Sequence, residues 1–176
     1  MAEFYPYLVA SLPMLHFLMK PPFSSEQFLE RCCPLIPEKD SQVLRSLPHP
    51  EDYGETGTRH PIIRQWIAFD TALRNELVKM RAARKRLEPG TYLRPGNFTG
   101  SLSLPAGMAA ILNASPLDAE KALDEARWKA LDELATGHYF DLDFLITYAG
   151  KLQILERWEK IRSAEGTVLL NQALQG

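Results

Sequence analysis

This chain has little cysteine, little net charge, no long apolar run and no catalytic or metal-ligand spacing of side chains. Each absence removes a class of function. The two cysteines, Cys32 and Cys33, are adjacent. Neighbouring cysteines rarely bridge one another, and without a C-x-x-C spacing they do not read as a redox pair. They read as two small, reduced core residues suited to a reducing cytoplasm. No apolar stretch approaches the ~20 residues that a membrane-spanning helix needs. The apolar stretch from Tyr7 to Met19 follows an acidic Glu3 and is interrupted by Pro13 and His16, so no signal peptide is expected. A formal charge of −2 argues against a dedicated nucleic-acid binder, which is usually basic overall.

Chemistry candidates are few, and each has a plainer account. His49 and His60 bracket a loop holding Glu51, Asp52 and Glu55. Imidazole and carboxylate do bind metals, but these are proline-flanked loop residues without a helical i, i+4 relation. Gly54, Gly57 and Thr58, like the glycines at 90, 96 and 100, lack the Lys-Ser/Thr pair that a phosphate loop places after its last glycine. They mark turns. Asp141 and Asp143 beside His138 resemble an acid–base cluster. They also stand where a helix begins, and acidic residues in a first turn are stabilising for that reason alone. Capping is the favoured reading, with an enzyme built on His138, Asp141 and Asp143 as its rival. No catalytic, cofactor-binding or metal residue is expected.

What is present is helix. At 176 residues, 45% hydrophobic and 24% charged, the chain has an ordinary globular composition and enough length for one domain with a core. Thirteen prolines fall mostly between periodic segments and punctuate them. The apolar run Tyr7 to Leu12 is a short helix or a buried strand, and periodicity does not decide between them. Ser24 with Gln27 forms a capping box opening a helix to about Cys33, and a second short helix starts near Asp40. Residues 48–60 read as a polar surface loop.

The strongest segment runs from Pro61 to Leu87. Ile62, Trp66, Phe69, Leu73, Leu77, Met80 and Leu87 share a narrow arc, while Arg64, Arg74, Lys79, Lys85 and Arg86 lie opposite. So narrow a stripe packs on one side only. Arg84 falls in line with the stripe, so the C-terminal end should leave the core. The loop 88–104, with Tyr92, Arg94 and Phe98, either folds back or makes contacts. A short helix is expected over Leu104 to Asn113. Ser115 and Pro116 open the next, running to about Ala135 with an alanine-rich inner stripe at Ala119, Leu123, Ala126, Ala130 and Leu134. The last strong helix starts after Asp141 and ends before Gly166, followed by a short one from Thr167 to Leu174. The expected fold is all-α: a single domain over 1–176, an irregular helical bundle with one long amphipathic helix.

Two segments resemble a known group. Tyr5-Pro-Tyr-Leu-Val-Ala-Ser-Leu-Pro13, with Pro21-Pro-Phe-Ser-Ser-Glu-Gln-Phe-Leu29, is similar to the start of a small, uncharacterised bacterial family encoded beside V-type ATPase subunits. Tyr148-Ala-Gly-Lys-Leu-Gln-Ile-Leu-Glu-Arg-Trp158 resembles the matching end of that family, and more faintly the helical C-type stalk protein of V-type ATPases, named d in eukaryotes. The C-type stalk protein is all-helical and without catalytic residues, and it joins the central stalk to the membrane c-ring. This chain is about half its size and lacks its internal repetition. The resemblance implies a non-enzymatic accessory or central-stalk component, at most one part of an ATP-driven or ATP-synthesising rotary complex. It would be cytoplasmic, peripheral to the inner membrane and bound there only through the complex, with other V-type ATPase subunits as partners. The expected contact residues are Arg64, Arg74, Lys79, Lys85, Arg86, Tyr92, Arg94 and Phe98. A helical regulator or adaptor for another protein or for nucleic acid is the other alternative.

Overall fold

A computed structural model describes residues 3–48, 60–96, 98–100 and 115–174, with side chains as far as residue 164. The loop around His49, Glu51, Asp52, Glu55, Gly54, Gly57 and Thr58, and the helix expected over Leu104 to Asn113, lie outside the described residues. Six helices are described: α1 Pro6–Ser11, α2 Ser25–Cys32, α3 Glu38–Arg45, α4 Pro61–Lys85, α5 Pro116–Leu134 and α6 Leu142–Leu174. Among the described residues there is no strand, and the fold is all-α. The ambiguous N-terminal run is the short helix α1, with Pro6 in its first turn. No described helix is long and apolar enough to cross a membrane.

The chain, read from its sequence as one domain, divides into two compact units: Met1–Leu47 with Ala135–Gly176, and Pro48–Leu134. In the first unit, α6 is the centre. Leu145 to Gly150 are buried without interruption, and Leu152 and Leu155 have no exposed surface. That continuous burial follows from a sequence apolar nearly all round. α2 and α3 pack against α6. Phe23, Phe28 and Tyr148 stack with centroids 5.2–6.4 Å apart, and the Arg31 guanidinium lies 4.6 Å from the Phe23 ring. The Tyr148 hydroxyl donates to the Pro13 carbonyl at 2.8 Å, and burial pushes its pKa up to about 12. Cys32 is buried, and its thiol is pushed up to about 12 by burial and then by Cys33, which suits an inert core residue.

The capping box at α2 forms as read: the Gln27 amide donates to Ser24 Oγ at 3.1 Å, and the Ser24 amide donates to Gln27 Oε1 at 3.0 Å. A further cap comes from α6. Glu156 accepts from the Ser25 amide at 2.9 Å and from the Ser25 hydroxyl, setting a carboxylate on the positive end of α2.

α6 also corrects the sequence reading. It runs unbroken from Leu142 to Leu174, through Gly166, where a stop was expected. Glycine weakens a helix by roughly 1 kcal/mol relative to alanine but does not forbid its dihedrals, as proline does.

In the second unit, α4 packs against α5 through Leu73, Leu77 and Leu123, with Phe69, Met80 and Ala122 at the margin. Ser115 caps α5, accepting from the Asp118 amide at 3.2 Å. The small residues Ala119 and Ala130 are buried on its inner face, as their stripe predicts. From Arg84 to Glu88 every side chain is exposed, so the end of α4 leaves the core where Arg84 enters the stripe.

Candidate functional site

The exposed end of α4 is built by its own termination. The Arg86 amide donates to Ala83 O at 3.2 Å and the Leu87 amide to Ala82 O at 2.9 Å, which turns the chain back over the last carbonyls. Arg86 carries the left-handed turn at φ 55, ψ 41, a position glycine usually takes because a Cβ there is strained. A 3₁₀ turn, Pro89–Tyr92, follows and packs on α4. Arg81, Arg84, Lys85 and Arg86 are all exposed here, beside Leu87 at 51% and Tyr92 at 62% exposure. Glu88 is the one acidic residue between Arg81 and Tyr92. The result is a cationic surface edged by apolar and aromatic groups.

The eight expected contact residues do not share this surface. Lys85, Arg86 and Tyr92 do. Arg64 is exposed at the other end of α4, about 30 Å away at ~1.5 Å of rise per residue. Lys79 pairs with Glu76 at 2.6 Å. The described part of the loop folds back along α4, at three points. The Arg94 amide donates to Asn75 Oδ1 at 2.9 Å, and Asn75 Nδ2 to the Arg94 carbonyl at 2.8 Å. A Cβ at Gly96 would stand 3.3 Å from Thr71 Cγ2. Phe98 meets Phe69 edge to face at 5.8 Å, and Phe69 stacks on Trp66. Phe98 therefore serves the fold.

Arg74 is not a loose surface cation. Its Nε donates to Asp70 Oδ2 at 2.7 Å. Asp70 has no exposed surface, and its other oxygen accepts from Arg127 Nε at 2.6 Å. Arg127 Nη1 donates in turn to Asp124 Oδ1 at 2.7 Å. Two guanidinium groups and two carboxylates thus balance within the second unit. Burial works against the Arg127 charge, but the carboxylates of Asp70 and Asp124 outweigh it and hold the group above its ordinary value. Sequence reasoning missed this network. Its signal is that Asp70 and Arg127 both fall at the edge of an apolar stripe, where a charge must find a partner.

A second cluster lies in the first unit. Gly137, at φ +89, turns the chain after α5, and the His138 amide donates to Ala135 O at 3.0 Å. Asp141 caps α6: its Oδ1 accepts from the Phe144 amide at 3.1 Å, in line with the capping reading. Its Oδ2 lies 2.7 Å from His138 Nδ1, and Asp143 Oδ2 lies 3.3 Å from the same nitrogen. The Asp141 hydrogen bond raises the His138 pKa; partial burial opposes this, and the charges of both aspartates add to it. His60, the remaining described member of the loop cluster, is the N-cap residue of α4, half-buried at its start. Close to the His138 cluster, the Tyr5 amide donates to the Phe140 carbonyl. Phe4, Tyr139 and Phe140 stay exposed around that bond.

No curated protein and no solved structure matches this chain. One family model, described as a protein of unknown function (DUF2764), matches residues 105–175, a stretch that holds α5, α6 and the His138 cluster but not the basic end of α4.

Proposed function

We propose that this chain is a non-enzymatic accessory or central-stalk component of a bacterial V-type ATPase, acting through protein–protein contacts. Its resemblance to a family encoded beside V-type ATPase subunits supplies the system. The observation that supports a contact role is the cationic end of α4, with Arg86 held in a left-handed conformation that glycine would adopt without strain. Exposed arginine and tyrosine, here on α4 and on the 3₁₀ turn packed against it, are residues interfaces favour. An acidic surface on the stalk is the chemistry that would meet it.

The test is an affinity pull-down from detergent-solubilised native membranes, read by mass spectrometry, with a tagged wild type and an Arg81→Glu, Lys85→Glu, Arg86→Gly variant. Arg74 is left intact because it belongs to the buried network. Glycine at 86 removes the cation and relaxes the backbone, so the variant should fold. The expected result is recovery of the V-type catalytic and c-ring proteins with wild type and their loss with the variant. Recovery of the bait alone with wild type would overturn the proposal, and equal recovery by the variant would remove this surface from it.

A further inference from the structure

The segment that opens α6 carries chemistry that a contact role leaves unused. His138 Nδ1, a carboxylate oxygen of Asp141 and one of Asp143 all lie within 4.8 Å of one another. Donors bound to one zinc ion at about 2.0–2.2 Å stand roughly 3–4 Å apart. Here the imidazole nitrogen is 2.7 and 3.3 Å from its two carboxylate oxygens. Small side-chain rotations would open that space for an ion.

The backbone already fixes two of the three donors. Asp141 Oδ1 accepts from the Phe144 amide, which leaves Oδ2 aimed at the imidazole. This is the outer-shell support that orients a metal-binding carboxylate. The backbone at His138 is set by the turn at Gly137 and by the hydrogen bond that its amide donates to the Ala135 carbonyl. The three donors come from one short stretch of chain, so little chain entropy is lost in gathering them. The side chains of His138, Asp141 and Asp143 keep 32, 18 and 23% of their surface, leaving water access to the remaining coordination positions.

We propose that His138, Asp141 and Asp143 form a binding site for a divalent transition-metal ion, with Zn2+ the expected occupant. One imidazole and two carboxylates suit a borderline ion, while magnesium and calcium prefer oxygen alone. The site has three protein ligands and open positions for water. It does not rest on the V-type ATPase reading, since no residue of the cationic α4 surface takes part.

The test is calorimetric titration of chelator-stripped, full-length protein with zinc chloride. All proteins carry Cys33→Ser so that its thiolate does not contribute; Cys32, buried and inert, is kept. One ion should bind per chain. Asp143→Asn and His138→Gln should each weaken binding by about tenfold or more, with far-UV circular dichroism unchanged. His16→Ala, a histidine outside the cluster, should leave it as it was. Absence of binding, or binding that Asp143→Asn does not weaken, overturns the site. Asp141 is spared because its loss would also uncap α6. Should His138→Gln disturb the fold, the near-isosteric Asp143→Asn decides alone.

Discussion

Asp70 is a carboxylate without exposed surface, held between the guanidinium groups of Arg74 and Arg127. Such an arrangement adds little over a well-packed apolar core, yet breaking it is costly because the remaining charges stay buried. Asp70→Asn is therefore expected to destabilise the protein by about 3–5 kcal/mol in urea unfolding. A change under about 1 kcal/mol would mean that the network is not formed in solution. The sequence shows half of this arrangement. Asp70 with Arg74 and Asp124 with Arg127 are ordinary intrahelical spacings, legible as pairs on a helix surface. The pairing of Asp70 with Arg127 joins two helices 57 positions apart, and no periodicity encodes which helix faces which. Arg74, expected as a contact residue, has its partner on its own helix at an ordinary spacing; what the spacing does not show is that Asp70 is turned into the core.

Single elements were legible wherever their ends carried local chemistry. Ser24 with Gln27, and Ser115 with the Asp118 amide, form the caps their spacing predicts. The α4 stripe is buried at Ile62, Trp66, Leu73 and Leu77 as its arc requires. The failures lie where a tertiary partner or a weak local preference decides. Glu156 caps α2 from 131 positions away, which no capping motif contains. Gly166 reads as a stop because glycine so often follows a helix, whereas α6 continues through it. A continuous helix makes a definite prediction: Gly166→Ala should raise thermal stability by about 0.5–1 kcal/mol. A glycine ending the helix in the left-handed region would instead make the same substitution destabilising. The melting temperatures of the two proteins separate the cases.

At the scale of the whole molecule, the first unit is assembled from two separated stretches of chain, and the second is continuous between them. α2 and α3 pack against α6 as well as against each other, so part of their burial depends on a helix nearly a hundred positions later. A truncated protein ending at Leu134 should therefore lose more helix than the removed residues account for. Its circular dichroism, and loss of amide protection in 25–45, would show that; intact protection there would mean that α2 and α3 hold together without α6. Fold class was legible at this scale because helical periodicity is local. The division into units was not, since it depends on which helices meet.

That interleaving has a consequence for synthesis. Residues up to Leu47 leave the ribosome well before α6, which at roughly 5–20 residues per second follows on the order of ten seconds later. During that interval Phe23, Phe28 and Leu44 lack the α6 surface that completes their burial, while the continuous unit between can already close. The nascent chain thus carries a partly uncovered apolar segment, and whatever shields it in the cell has to act before α6 emerges.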